Sequence, residues 1–162
     1  MKKTLYYLQL YCISTVFMIA LFEKKDFIFI FFAFLMSMGI ILISEKVLLK
    51  ATYYELFPFS LYKSGKYFLF LLTKIYSSGF SIIPYIVSGK SNPRFIEIYT
   101  DLDSNVDLVV LSNSITLTPG TITVDLDGQK LLILWLNAEE LSTTDAGNKI
   151  KGALEMRIKE GL

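Results

Sequence analysis

The sequence contains no histidine and a single cysteine, Cys12, which lies within an apolar run. These absences exclude Ser–His and Cys–His nucleophiles, histidine proton relays, Cys/His zinc sites and internal disulfides. Carboxylates, lysines, tyrosines and hydroxyls are the groups that remain for chemistry, and they form no recognisable catalytic pattern. We therefore predict no catalytic residue, no metal site and no cofactor.

Acidic residues are scarce in the first part of the chain, and aromatic residues are scarce in the second. Residues 1–90 contain ten lysines and four acids, whereas residues 91–162 contain six basic and eleven acidic residues, for a net charge of +1 overall. Only three aromatic residues follow residue 90: Phe95, Tyr99 and Trp135. The asymmetry predicts a membrane-associated helical region at 1–90 and a small α/β domain at 91–162. An acidic second domain argues against a nucleic-acid partner.

Charge is absent from two long apolar runs, residues 4–22 and 27–44. As helices they are each about 28 Å long, close to the thickness of about 30 Å of the hydrocarbon core. Four consecutive ionised residues, 23–26, separate the runs, which predicts a transmembrane hairpin. Lysines before the first run are also typical of a signal peptide. No small-residue cleavage site follows, however, so we expect the run to be retained.

A third apolar stretch, residues 67–87, is interrupted by Lys74 and Pro84. It is predicted either to span the membrane or to lie along its surface, and Lys74 either snorkels to the interface or faces a hydrated cavity. Loop lysines favour the cytoplasm for both ends of the hairpin; these are Lys2, Lys3, Lys46, Lys50, Lys63 and Lys66. With an interfacial third helix, which we prefer, the second domain is also cytoplasmic.

The second part of the chain predicts a two-layer α/β domain of order β-α-β-β-α. Its elements are a strand at 94–100, a helix at about 105–114, strands at 121–127 and 130–136, and a helix from residue 145. The predicted fold is thus a membrane protein, with a helical transmembrane hairpin and a third membrane-associated helix preceding this domain.

Turn chemistry predicts how the two later strands pair. Thr118-Pro119-Gly120-Thr121 is typical of a type II turn. Asp127-Gly128 predicts a type I′ loop, which places Asp125 opposite Lys130 and turns Ile122 and Val124 inward.

Two further patterns concern burial. The strand at 130–136 has apolar residues on both faces, with Leu132, Leu134 and Leu136 on the face that points away from the core. This second face therefore requires cover from a helix or another protein. In the last helix, Lys151, Glu155 and Lys159 lie four residues apart, which predicts a solvated charged stripe.

A hydroxyl-rich stretch, Asn113-Ser-Ile-Thr-Leu-Thr-Pro-Gly-Thr121, is predicted to build a specific loop or to dock on another surface. This stretch resembles the signature of the E-type subunit of the multisubunit Na+/H+ antiporters, the Mrp or Mnh family. The resemblance implies a structural, accessory subunit in a prokaryotic cell membrane, whose partners are the other membrane subunits. Homologous modules of membrane-bound hydrogenases and complex I-like respiratory enzymes are the alternative, and a standalone membrane-anchored binding module is a third hypothesis. We expect the subunit interface to include Asn113, Ser114, Thr116, Thr118, Pro119, Gly120, Thr121, Leu132 and Leu134.

Overall fold

The computed structural model describes residues 3–23, 26–56, 60–89, 91–138 and 142–161. Lys2, one of the lysines used to predict topology, lies outside these ranges. The chain divides into two compact units, Met1–Leu61 and Tyr62–Leu162. The helix that contains residues 67–87 therefore groups with the sheet domain rather than with the hairpin, and the two units are described separately.

The first unit is a pair of apolar helices, α1 (Lys3–Phe22) and α2 (Phe27–Ile43). They pack through small and aromatic side chains: Ala33 and Ser37 of α2 are buried, and the Tyr11 and Phe34 rings meet edge to face with centroids 6.1 Å apart. Most of the surrounding apolar side chains are exposed. Both helices are long and apolar enough to cross a membrane, which agrees with the predicted hairpin.

The chain after α2 continues as a π-helical segment (Ser44–Leu49) and a short helix, α3 (Tyr53–Leu56). Glu45 joins this region to α1, because its carboxylate accepts hydrogen bonds from the Tyr7 hydroxyl at 2.6 Å and the Tyr53 amide at 2.7 Å. Glu45, the first acidic residue after α2, thus connects α1 to the start of α3.

The second unit begins with a long helix, α4 (Leu61–Ser88), followed by the predicted β-α-β-β-α order. Its elements are β1 (Arg94–Tyr99), α5 (Asn105–Leu117), β2 (Thr121–Asp127), β3 (Lys130–Trp135), α6 (Thr143–Gly147), a π-helical segment (Asn148–Gly152) and α7 (Ala153–Lys159). The strands form an antiparallel sheet of order β1-β3-β2. Helices cover one face of it, and the core between them contains Leu111, Ile115, Leu131, Ile133 and Leu154.

The predicted register of the β2–β3 hairpin is wrong, because the loop is displaced by one residue and the partner of Lys130 therefore changes by two. Lys130 pairs with Asp127 rather than with Asp125, because the loop residues are Gly128 and Gln129. Gly128 has a φ of +56°, and the first loop position is the one that needs a positive φ in a type II′ turn. A bulge at Val124 follows, and Ile122 and Val124 are exposed rather than inward.

Threonines occupy the inward positions of β2 because their hydroxyls hydrogen-bond to α5. Thr121 donates to the carbonyl oxygen of Ile115 at 2.7 Å, and Thr123 donates to that of Ser112 at 3.0 Å. The Ile115 carbonyl lies in the last turn of α5, where helix carbonyls lack intrahelical partners, and the Ser112 carbonyl lies about one turn earlier. The bulge then restores an apolar inward residue, Leu126, beside Leu131.

Helix α4 has apolar side chains on two opposite faces. Tyr67 and Leu71 belong to the core, and Ile82 contacts the loop before β2. The opposite face is exposed, with residues spaced three to seven apart: Leu69, Tyr76, Phe80, Ile83 and Val87. A helix buried on one side and apolar on the other requires a second apolar environment.

Candidate functional site

The predicted motif, residues 113–121, forms the end of α5 and the turn into β2. Thr118 donates to the carbonyl oxygen of Ser114 at 2.8 Å, and the Thr121 hydroxyl lies 2.9 Å from the carbonyl oxygen of Thr118. The Ser114 hydroxyl is buried and lies 2.7 Å from that of Tyr67 on α4. The Thr118 and Thr121 hydroxyls therefore bond to carbonyls at the end of α5, and the Ser114 hydroxyl attaches α5 to α4.

The turn at Pro119-Gly120 packs against α4. The Thr121 amide donates to the Thr118 carbonyl at 3.2 Å and Gly120 has a φ of +95°, as the predicted type II turn requires. A Cβ added to Gly120 would lie 2.4 Å from the Cδ1 atom of Ile82. Gly120 is thus required by its backbone conformation, and a larger residue would also have to displace the end of the Ile82 side chain on α4.

A cleft of about 280 Å³ lies beside this turn, between α4 and the sheet. Its lining includes Ser81, Tyr85, Thr118, Trp135 and Lys149. The Lys149 ammonium group lies 5.7 Å from the centroid of the Trp135 ring. Among the residues that the structure describes, no group of three acidic or cysteine side chains could hold a metal ion.

The outer face of the sheet carries the second predicted set, Leu132 and Leu134, which are half-buried. Across the three strands, Phe95, Leu134 and Ile122 are paired neighbours, and Phe95 and Ile122 are 64% and 51% exposed. We call these three residues the apolar row. Further toward the hairpin loop the same face becomes charged, and Lys130 and Glu97 form an ion pair at 2.8 Å.

The other predicted residues are dispersed. Asn113 and Thr116 are exposed and line a shallow depression beside the bulge of β2. The Thr116 hydroxyl accepts a hydrogen bond from the Thr123 amide at 3.1 Å, which satisfies a donor on the sheet edge. Lys74 is exposed on α4. The structure therefore joins the motif to α4 but does not gather the predicted residues into one pocket.

A buried ionic network contradicts the prediction that the last helix has a solvated charged stripe. Lys151 and Glu155 are 8% and 5% exposed and form an ion pair, and Glu155 also accepts bonds from the Thr100 hydroxyl and the Asp101 amide, both at 2.7 Å. Burial raises the pKa of Glu155, but the bonds from Lys151, Thr100 and Asp101 outweigh it and lower the pKa to about 2. Lys151 lies in the π-helical segment (Asn148–Gly152) and Glu155 in α7, and the partners of Glu155 come from the distant segment after β1, which the spacing within the last helix does not reveal.

Known proteins resemble this chain over most of its length. Residues 11–160 match the family model MNHE, described as a Na+/H+ ion antiporter subunit. The E1 subunit of the Na(+)/H(+) antiporter of Staphylococcus aureus strain bovine RF122 / ET3-1 is 32% identical over 104 residues, which are 62% of this chain. That match spans 65% of the relative, slightly less than two thirds of its length.

Two solved assemblies contain similar chains. One is the membrane-bound sulfane sulfur reductase (MBS), an archaeal respiratory membrane complex, with 26% identity, a TM-score of 0.73, and coverage of 94% of this chain and 96% of that one. The other is the Mrp complex from Dietzia sp. DQ12-45-1b, with 18% identity, a TM-score of 0.44, and coverage of 60% and 94%. Because the family model matches nearly the whole sequence, this chain belongs to the MNHE family of Na+/H+ ion antiporter subunits.

Proposed function

We propose that this protein is a structural, accessory membrane subunit of a multisubunit cation/proton antiporter and has no catalytic site of its own. The observation that carries the proposal is the apolar row, because a contiguous apolar surface on a folded domain marks an interaction site. Its occupant is a neighbouring subunit of the same complex. The charge-free runs at 4–22 and 27–44 support this role, since proton and ion pathways need ionisable groups that other subunits must supply.

The proposed interface centres on the apolar row and Leu132, and Asn113 and Thr116 lie exposed at its edge. The rest of the motif contributes indirectly. Ser114, Thr118 and Thr121 bond within the domain, and the Pro119-Gly120 turn packs on α4, so these five residues shape the domain that carries the interface.

For topology, we propose that α4 lies along the membrane surface and that the domain is cytoplasmic in a prokaryotic cell membrane. Contacts with the domain extend along α4 from Tyr67 to Ile82, about 22 Å at the helical rise. A crossing helix would carry that domain surface into hydrocarbon. A cysteine at the exposed position Asn148, in a Cys12→Ser background, should resist impermeant thiol reagents in intact cells and react after lysis. Labelling of intact cells would contradict the cytoplasmic assignment.

A second candidate is the corresponding subunit of a respiratory membrane complex. The similarity to a chain of the sulfane sulfur reductase complex, which covers 94% of this sequence, favours it. A third, a standalone membrane-anchored module, requires that the apolar row recruit a soluble partner.

Purification of the tagged full chain in mild detergent separates these candidates. The proposal predicts a large assembly with several polytopic subunits and no iron–sulfur absorption. Iron–sulfur absorption in the same assembly would identify the respiratory alternative. A monodisperse monomer without membrane companions would contradict both.

A further inference from the structure

A groove of about 460 Å³ lies beside the first two turns of α4, next to the end of α7. We call it the basic groove, and its principal residues are Tyr62, Lys63, Lys66, Phe70, Arg157 and Glu160. It is separate from the motif, from the apolar row and from the cleft beside Trp135. Its three cationic side chains come from two elements that the fold brings together.

The charges of the basic groove are only partly compensated. Arg157 pairs with the Glu160 carboxylate at 3.0 Å and lies 5.3 Å from the centroid of the Phe70 ring. Lys63 donates to the backbone carbonyl of Glu160 at 3.2 Å, and Lys66 lies 5.5 Å from the centroid of the Tyr62 ring. Among the described residues that line the groove, three cations therefore face one carboxylate. Lysine and arginine side chains that line one groove suit a phosphate group.

The basic groove also adjoins the exposed apolar face of α4. Leu69, 64% exposed, lines the groove and begins that face, and Tyr62 is 74% exposed at its rim. If α4 lies along the membrane surface, as proposed above, its lysine and tyrosine side chains lie at the depth of lipid headgroups, where the phosphates are. Clustered lysine and arginine side chains on such a helix attract anionic headgroups.

We propose that the basic groove binds the phosphate of an anionic phospholipid, with an acyl chain against Tyr62 and Leu69. The proposal rests on the interfacial position proposed for α4. Lys63, Lys66 and Arg157 supply donors to the phosphate oxygens. Inorganic phosphate offers the same polar chemistry without acyl chains, so a test must compare the two.

The test measures thermal unfolding of the purified full chain in a neutral detergent with three additives: dioctanoyl phosphatidylglycerol, dioctanoyl phosphatidylcholine and inorganic phosphate. Phosphatidylglycerol should raise the unfolding midpoint saturably, as a ligand of the folded state does, and the other two should not. The double variant Lys63→Gln/Lys66→Gln should weaken the apparent affinity about thirtyfold, since two lysines near a lipid surface together contribute about 2 kcal/mol. Lys74→Gln, an exposed lysine of the same helix outside the groove, is the matched control.

Three outcomes would overturn the proposal. An equal shift with phosphatidylcholine would exclude recognition of the negative charge. An equal shift with inorganic phosphate would exclude a lipid as the source of the anion. Unchanged phosphatidylglycerol affinity in the double variant would exclude the groove. Purification of companion subunits with the same double variant is scored separately, so lost lipid binding with retained companions distinguishes this site from the proposed function.

Discussion

The two units of the chain bury their apolar side chains to very different extents. In α1 and α2, Phe17 and Phe27 are 64% and 83% exposed, whereas Leu111, Leu131 and Ile133 of the second unit are fully buried. The hairpin therefore depends on lipid for its apolar environment, and the second unit has a core of its own. The apolar row and the outer face of α4 are exceptions, because at these two places the second unit also exposes apolar side chains, as the hairpin does. The exposed apolar side chains therefore indicate where this subunit contacts lipid or other subunits.

The sharpest test of the internally stabilised unit is Glu155→Gln. It leaves Lys151 buried opposite a neutral amide, and loss of one partner from a buried pair costs about 3–5 kcal/mol of unfolding free energy. Chemical denaturation of the full chain in detergent near neutral pH measures this loss. Glu160→Gln, which removes an exposed pair, is the matched control and should change stability by less than about 1 kcal/mol. Equal effects would contradict the buried network.

The same carboxylate gives the second unit an acid sensitivity. Because the pKa of Glu155 is lowered from 4.5 to about 2, its contribution to stability is complete above pH 4.5 and is lost as the pH falls toward about 2. Glu155→Gln should remove this part of the pH dependence. An unchanged acid-unfolding profile in the variant would assign the sensitivity to other carboxylates.

An intermediate effect is expected from Gly120→Ala, which tests the attachment of the motif to α4. The substitution combines a positive φ with a contact to Ile82 and should cost about 1–3 kcal/mol. Gly128→Ala is the control, since Gly128 also has a positive φ but its added Cβ meets open space. Adding Ile82→Ala should make Gly120→Ala less costly than it is in the wild-type background. If Gly120→Ala and Gly128→Ala cost the same, the close approach of α4 to the turn contributes nothing.

The smallest effect is expected in the hairpin. Phe17→Ala removes an exposed ring and should change thermal stability in detergent by less than about 0.5 kcal/mol, as surface substitutions do. Ser37→Leu, at a fully buried position of α2, should cost about 1–3 kcal/mol through overpacking. A loss of several kcal/mol for Phe17→Ala would show that α1 is packed on that side and would erase the contrast between the units.

Much of the fold was predictable because its signals are local. The charge-free runs, the order of elements in the second unit and the Pro119-Gly120 turn all follow from short stretches of sequence. The hairpin register was not predictable, because Asp127-Gly128 and Gly128-Gln129 are both acceptable loops. Hydrogen bonds from the Thr121 and Thr123 hydroxyls to α5 favour the observed register. These long-range contacts cannot be read from the loop residues alone.

The electrostatic network was missed for a similar reason. Lys151, Glu155 and Lys159 follow the spacing of an exposed α-helical stripe, but residues distant in the sequence bond to Glu155 and bury it. Of the three, Lys159 remains partly exposed and pairs with Asp101 at 3.1 Å. The polar run after β1 was the one indication in the sequence, because it supplies the Thr100 hydroxyl and the Asp101 amide that bond to the buried carboxylate of Glu155.

The central claim, that a neighbouring subunit covers the apolar row, is tested most directly by Phe95→Asp compared with Tyr99→Asp. The two side chains are 64% and 62% exposed on the same face of β1, but only Phe95 belongs to the row. The tagged full chain with each substitution is purified in mild detergent, and the co-purifying membrane subunits are quantified. We expect Phe95→Asp to lose them and Tyr99→Asp to retain them, with both variants folded by circular dichroism. Equal retention of the companions by the two variants would contradict the account.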